Sequence, residues 1–209
     1  TDRAAGLNTY VMLTANSDLG AVRSAGLHAI VAGGTSNPGS ETMGWLLSDE
    51  IDMTAGPVQG AQQQQQILAS LPADARLRYA NYGKGVLFWE TDAEAARFVN
   101  TYQDLTSADG YWYTDLNICS QYEGGALLAQ KTRALTSSEC HRAANYGAAV
   151  ERMRSLVSPK GSKPIWAFVE LGHPASESGW PTITPAQARA AVWSSIIHGA
   201  RGVIYFNHS

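Results

Sequence analysis

Short apolar runs rich in β-branched and aromatic residues alternate along this chain with helix-forming stretches. That alternation restricts the possible folds more than any single motif does. Residues 7–13, 27–32, 42–48, 76–82, 110–113, 164–171 and 202–206 read as strands, bounded by Gly, Pro and Asp. Residues 17–25, 59–71, 92–102, 138–157 and 184–198 read as helices. The last of these opens with a Thr184 cap before Pro185 and is stopped by Gly199. Nearly continuous apolar strands separated by helices imply a parallel sheet covered on its faces. Residues 86–89 are strand-like but lie too close to 76–82 for a helical crossover, so they fall to the loop after that strand.

Seven strands result, and the expected fold is α/β: a (β/α)8 TIM barrel lacking its first strand and last helix, with residues 1–209 as one domain. A seven-stranded doubly wound sheet is the structural alternative. A barrel short of one strand exposes two sheet edges, so either an additional chain segment completes it or this chain alone is expected to be poorly stable. The glutamine run at 62–66 is expected to be a solvated helix face, and 35–40 and 117–137 to be long loops.

Charge and apolar content narrow the function classes. Fifteen Lys and Arg against 18 Asp and Glu, net −3, argue against a generally basic nucleic-acid binder. No apolar run approaches the roughly 20 residues that span a bilayer, so no membrane partner is expected. Six Trp, nine Tyr and four Phe supply flat apolar surfaces that suit a core and also suit sugar rings.

In either architecture the active site forms at the carboxyl ends of parallel strands. The residues found there include Asp49 and Glu50, Asn81 and Tyr82, Tyr113 and Asp115, Glu170 and His173, and Asn207. This set is acidic, polar and aromatic without a lysine, the character of a carbohydrate site. Alternation along each strand puts Leu46, Ser48 and Glu50 on one face, and Trp166, Phe168 and Glu170 on one face. If the absent strand is the first, the two glutamates close strands four and seven. Glycoside hydrolysis needs one carboxyl to protonate the leaving oxygen and a second to attack the sugar or activate water.

The stretch GWLLSDEIDM, the pair Glu50 and Glu170, and TPAQARAAVWSSIIHGARGVIYFNHS resemble the clan A glycoside hydrolases of the TIM-barrel type. The likeness covers most of the chain. It implies Glu50 as acid/base after strand four, Glu170 as nucleophile at the end of strand seven, and retention through a covalent glycosyl-enzyme. The clan usually carries Asn just before the acid/base Glu, where this chain has Asp49, which leaves the recognition of the sugar 2-hydroxyl open. A Tyr near the end of strand six touches the nucleophile in that clan, and Tyr113 is placed for it. Trp180 in the exposed-looking SESGWP loop, with Tyr82, Tyr113 and Trp45, is a candidate sugar platform.

Cys119 and Cys140 flank the 117–137 loop, and a disulfide between them would suit a secreted, extracellular protein. Zinc at Cys119, Cys140 and His141 lacks a fourth ligand at usable spacing, so no metal is expected. Neither phosphate-loop nor dinucleotide glycine pattern occurs, no G-x-S-x-G elbow is present, and no cofactor is expected. The leading expectation is a glycosidase acting on a poly- or oligosaccharide. The alternative is a catalytically silent glycan-binding barrel of a surface or phage-tail assembly. A third reading, a barrel enzyme for a phosphorylated metabolite, would need a basic pocket at the strand ends.

Overall fold

The computed structural model describes residues 2–172 and 179–206. The chain alternates strands with helices as β1 (Thr9–Leu13), α1 (Leu19–Ser24), β2 (His28–Ala32), β3 (Thr42–Asp49), α2 (Ile51–Thr54), α3 (Gly56–Ser70) and β4 (Leu77–Tyr82). A π-helical turn (Gly85–Trp89) and α4 (Asp92–Thr101) lead to β5 (Leu105–Ala108). The chain continues through α5 (Gly124–Leu128), α6 (Ser137–Cys140), α7 (Ala144–Leu156), β6 (Ile165–Glu170), α8 (Pro185–Ile197) and β7 (Gly202–Phe206). All six strand pairings are parallel and join neighbours in sequence, giving the order β1 to β7 in a nearly closed barrel.

The period-2 pattern of the strands sorts side chains into two cores. Ile30, Tyr79, Leu105, Phe168 and Ile204 fill the barrel, with Leu46, Tyr111 and Trp166 packed against them. A larger cluster, including Val31, Trp45, Tyr82, Phe98, Val150 and Met153, joins the outer face of the sheet to the helices. Within the described residues β1 and β7 each pair with one neighbour only. A groove of about 550 Å³ runs between them, lined by Tyr10, Val11, Val203 and Tyr205 among others. Trp193, Ile196 and Ile197 stand exposed on α8.

The helices begin where local chemistry favours it. Thr91 with Glu94 and Thr184 with Gln187 form reciprocal capping boxes, so two orphan backbone donors are satisfied at each start. The glutamine run is solvated except at Gln64, which turns fully inward and donates to Tyr82 Oη at 2.9 Å. Residues 86–89 take a π-helical turn rather than an irregular loop.

Two larger departures from the sequence reading concern the segment that builds the site. The fifth strand is Leu105–Ala108, not residues 110–113, which form a turn after it. Thr106 and Ser107 are wholly buried yet polar, and their hydroxyls bond Ala80 O and Asn81 Oδ1, so this strand lacks an apolar signature. Packing overrides the strand propensity of the aromatic GYWY stretch. The helix expected over 138–157 is broken at residues 141–143 into α6 and α7. The Cys119–Cys140 disulfide and a 2.8 Å contact of His141 Nδ1 with Trp112 O hold that break.

Candidate active site

The carboxyl ends of β3, β4, β5 and β7 line a cavity of about 260 Å³, and Glu170 at the end of β6 is not part of its lining. Its polar wall carries Glu50, Lys84, Asp109, Thr114 and Asp115; Met53, Tyr111, Trp180 and Phe206 form the apolar wall.

Glu50 follows β3 directly and takes a left-handed conformation, φ 49°. A non-glycine residue there costs about 1–2 kcal/mol, and such strain gathers at functional sites. Bonds to its backbone hold it: Glu50 N–H donates to Asn81 O at 3.0 Å, while Met53 and Thr54 N–H groups both donate to Glu50 O at 3.0 Å. Burial pushes the Glu50 carboxyl up from the ordinary range, and the charges of Asp49 and Asp52 push the same way. A hydrogen bond with Asp109 and the charge of Lys84 oppose them.

The turn after β4 sits close beneath this glutamate. Asp52, buried, accepts from Gly83 N at 3.1 Å and Val86 N at 2.8 Å, fixing the path of the chain past Lys84. A Cβ on Gly83 would lie 2.3 Å from Met53 Sδ and 3.1 Å from Glu50 Oε1, so a larger residue there would displace the Met53 and Glu50 side chains. Lys84 Nζ contacts Asp115 Oδ2 at 2.5 Å and Glu123 Oε2 at 2.9 Å, which ties the long loop after β5 to the cavity rim.

Glu170 closes β6 and is fully buried. Its Oε1 accepts from Tyr146 Oη at 2.6 Å, Tyr113 N at 3.1 Å and Thr114 Oγ1 at 3.5 Å, while Oε2 has no partner among the described residues. Burial raises its carboxyl above the ordinary range, and the three donors pull it back. Tyr113 thus reaches Glu170 through its backbone; the phenol in contact is that of Tyr146, whose ring stacks on Tyr113 at 5.8 Å.

The remaining expected residues separate. Asp49 is exposed and accepts from Asn81 Nδ2 at 2.9 Å, and buried Asn81 accepts in turn from Ser107 Oγ at 2.6 Å. This chain of bonds crosses β3, β4 and β5 below the cavity. Tyr82 is a core side chain, wholly buried, with its hydroxyl donating to Phe98 O at 3.0 Å. Trp45 is also buried, its Nε1 donating to Asp74, far from a platform role. Asp115 and Trp180 line the cavity. His173 and Asn207 lie outside the described residues.

The sequence reading missed three residues. Asp109 was displaced by the misplaced fifth strand, although the Asp109-Gly110 dipeptide is a turn signal that would have ended the strand at Ala108. Lys84 supplies the lysine that the strand-end set lacked. Tyr146 arrives from a helix start that no strand-end inspection reaches.

No protein-family model matches the chain, and no curated protein matches its sequence. Among solved structures it is similar to a "putative alpha-L-fucosidase" from Bacteroides thetaiotaomicron VPI-5482, with a TM-score of 0.52 and 9% identity, over 97% of this chain and 74% of that one. At that identity the likeness is one of fold: a parallel (β/α) barrel of the type found in a glycosidase-like protein.

Proposed function

We propose that this chain is a retaining glycoside hydrolase acting on a poly- or oligosaccharide, with Glu50 as acid/base and Glu170 as nucleophile. The observation that carries the reading is the contrast between the two carboxyls. Glu50 stands on the wall of a cavity with an aromatic side, its carboxyl raised toward the protonated form that a proton donor needs. Glu170, buried behind that cavity, has one oxygen held by three donors and the other without a partner among the described residues, which leaves that oxygen free to act as a nucleophile once a sugar reaches it.

In this reading Glu170 Oε2 attacks the anomeric carbon as Glu50 passes its proton to the departing glycosidic oxygen. Glu50 then takes a proton from water, and the water oxygen releases the sugar from Glu170. Tyr111, Trp180 and Phe206 offer apolar faces to the sugar ring, and Asp49 an exposed acceptor for a hydroxyl. The fold likeness to a protein described as a fucosidase agrees with the reaction class and leaves the sugar open. The disulfide suits a secreted setting. The reading also takes the groove between β1 and β7 as the place of the barrel's first strand, filled by a further chain segment, so that β3 and β6 count as strands four and seven.

Its test is incubation with a panel of 2-deoxy-2-fluoro glycosides bearing activated leaving groups, followed by mass spectrometry. A glycosyl adduct on the Glu170 peptide, absent in Glu170→Gln, supports the proposal, with a fall of about 10²–10⁴-fold in kcat for Glu50→Gln. Hydrolysis with inversion overturns retention. The complete burial of Glu170 favours one other outcome: glycan binding without turnover, which would make this a silent barrel.

A further inference from the structure

Asp109 is a buried acid for which the proposed reaction has assigned no part. It follows β5 on the inward face that also carries Leu105 and Ser107, is 5% exposed, and lines the same cavity as Glu50. Its side chain shares that cavity with Glu50 and Tyr111, and its carboxyl neighbours that of Glu50. Asp109 Oδ1 has no partner among the described residues.

The charged and titratable groups around this pair are Asp49 from β3, Asp52 from α2, Tyr79 from β4, Lys84 from the following turn, and Tyr111. Lys84, the one cation near the pair among the described residues, is committed elsewhere, since its Nζ lies 2.5 Å from Asp115 and 2.9 Å from Glu123. Tyr79 is likewise engaged, its hydroxyl 2.7 Å from Ser107 Oγ. A buried carboxylate needs several donors or a paired cation. Among the described residues no side-chain donor is bonded to Asp109 and its carboxyl faces that of Glu50, surroundings that suit a neutral acid. A neutral acid has one proton to donate, and the acceptor within reach is Glu50.

We propose that Asp109 stays a neutral carboxylic acid at neutral pH and donates a hydrogen bond to the Glu50 carboxylate, as a positioning residue for the acid/base step. The assignment rests on the acid/base reading of Glu50 and deepens it. When Glu50 gives its proton to the leaving oxygen, the new carboxylate meets a donor already in place and shielded from water. Asp109 keeps its own proton throughout, so one proton moves and the balance closes. Burial and the Glu50 charge push the Asp109 carboxyl far above the usual range, while its hydrogen bond works downward on Glu50.

The test is a ¹³C NMR titration of the 209-residue chain labelled at the Glu or Asp side-chain carboxyl carbons, with signals identified by their loss in Glu50→Gln and Asp109→Asn. The Asp109 carbon is expected to hold its protonated shift through neutral pH. Asp109→Asn, which keeps a neutral donor, should leave the Glu50 midpoint in place, whereas Asp109→Ala should raise it by about one pH unit. An Asp109 carbon that titrates below neutral pH overturns the proposal. So does a Glu50 midpoint that falls in Asp109→Asn, because that is the response to removing a neighbouring negative charge. Where Asp109→Ala does not fold, the Asp109 carbon and the Asn variant decide alone. No substrate is needed, so a failure of the glycosidase reading shows separately, in the adduct experiment.

Discussion

Replacing Tyr146 by Phe asks whether Glu170 works as a carboxylate. The substitution removes only the hydroxyl that donates to Glu170 Oε1 at 2.6 Å, and leaves the ring stacked against Tyr113. A hydrogen bond to a charged group contributes about 1.5–3 kcal/mol, and one to a neutral group about 0.5–1.5 kcal/mol. The Tyr146 bond pulls the Glu170 carboxyl down against the upward push of burial, so its loss lets the folded value climb further. Between the wild-type folded value and that of the variant, the variant's folded state holds the extra proton. Its stability relative to wild type must therefore fall as pH rises through that window. Urea unfolding of both proteins from about pH 4, where a Glu raised above the ordinary value is largely protonated, to about pH 9 should show a small deficit at the acid end. The deficit should grow by about 1 kcal/mol on crossing the Glu170 value, reaching the full charged-bond figure above it. A deficit that is constant across the whole range would refute the reasoning. Glu170 would then hold one protonation state throughout, and a permanently neutral Glu170 cannot attack.

Two further outcomes follow from groups outside the cavity. Glu90 has both carboxyl oxygens buried without partners, and burial together with the charges of Asp52 and Glu94 pushes its carboxyl up to about 8. An acid raised on folding loses stability as pH climbs from the unfolded value through the folded one. Glu90→Gln should therefore gain on wild type between about pH 4.5 and pH 8, by about 2 kcal/mol after discounting for its partial exposure; a gain independent of pH in urea melts would contradict this. The Cys119–Cys140 bond spans a sequence separation of 21 residues. Its removal by the paired Cys→Ala substitutions should cost about 3 kcal/mol, and unchanged urea midpoints would show that the loop is held without it.

The barrel was readable because β2, β3 and β6 are largely buried, mostly apolar runs, and the other strands but one carry a similar β-branched and aromatic signature between turn residues. The exception is instructive. β5 is buried equally well, but Thr106 and Ser107 satisfy their hydroxyls on neighbouring strands, at Ala80 O and Asn81 Oδ1, bonds that no local pattern reveals. The aromatic run four residues downstream of Thr106 took its place in the reading, and the error passed directly to the site. With the strand ending at Ala108, the residue at its carboxyl end is Asp109 rather than Tyr113 or Asp115. Glu50 was visible because two acids abruptly end an apolar run. Its neighbours were not, because Asp109, Lys84 and Tyr146 meet Glu50 or Glu170 only when the sheet curls and α7 packs against β6. Strand ends thus name the first carboxyl of such a site, while closure of the barrel decides which carboxyl stands beside it, and that neighbour sets the proton it carries.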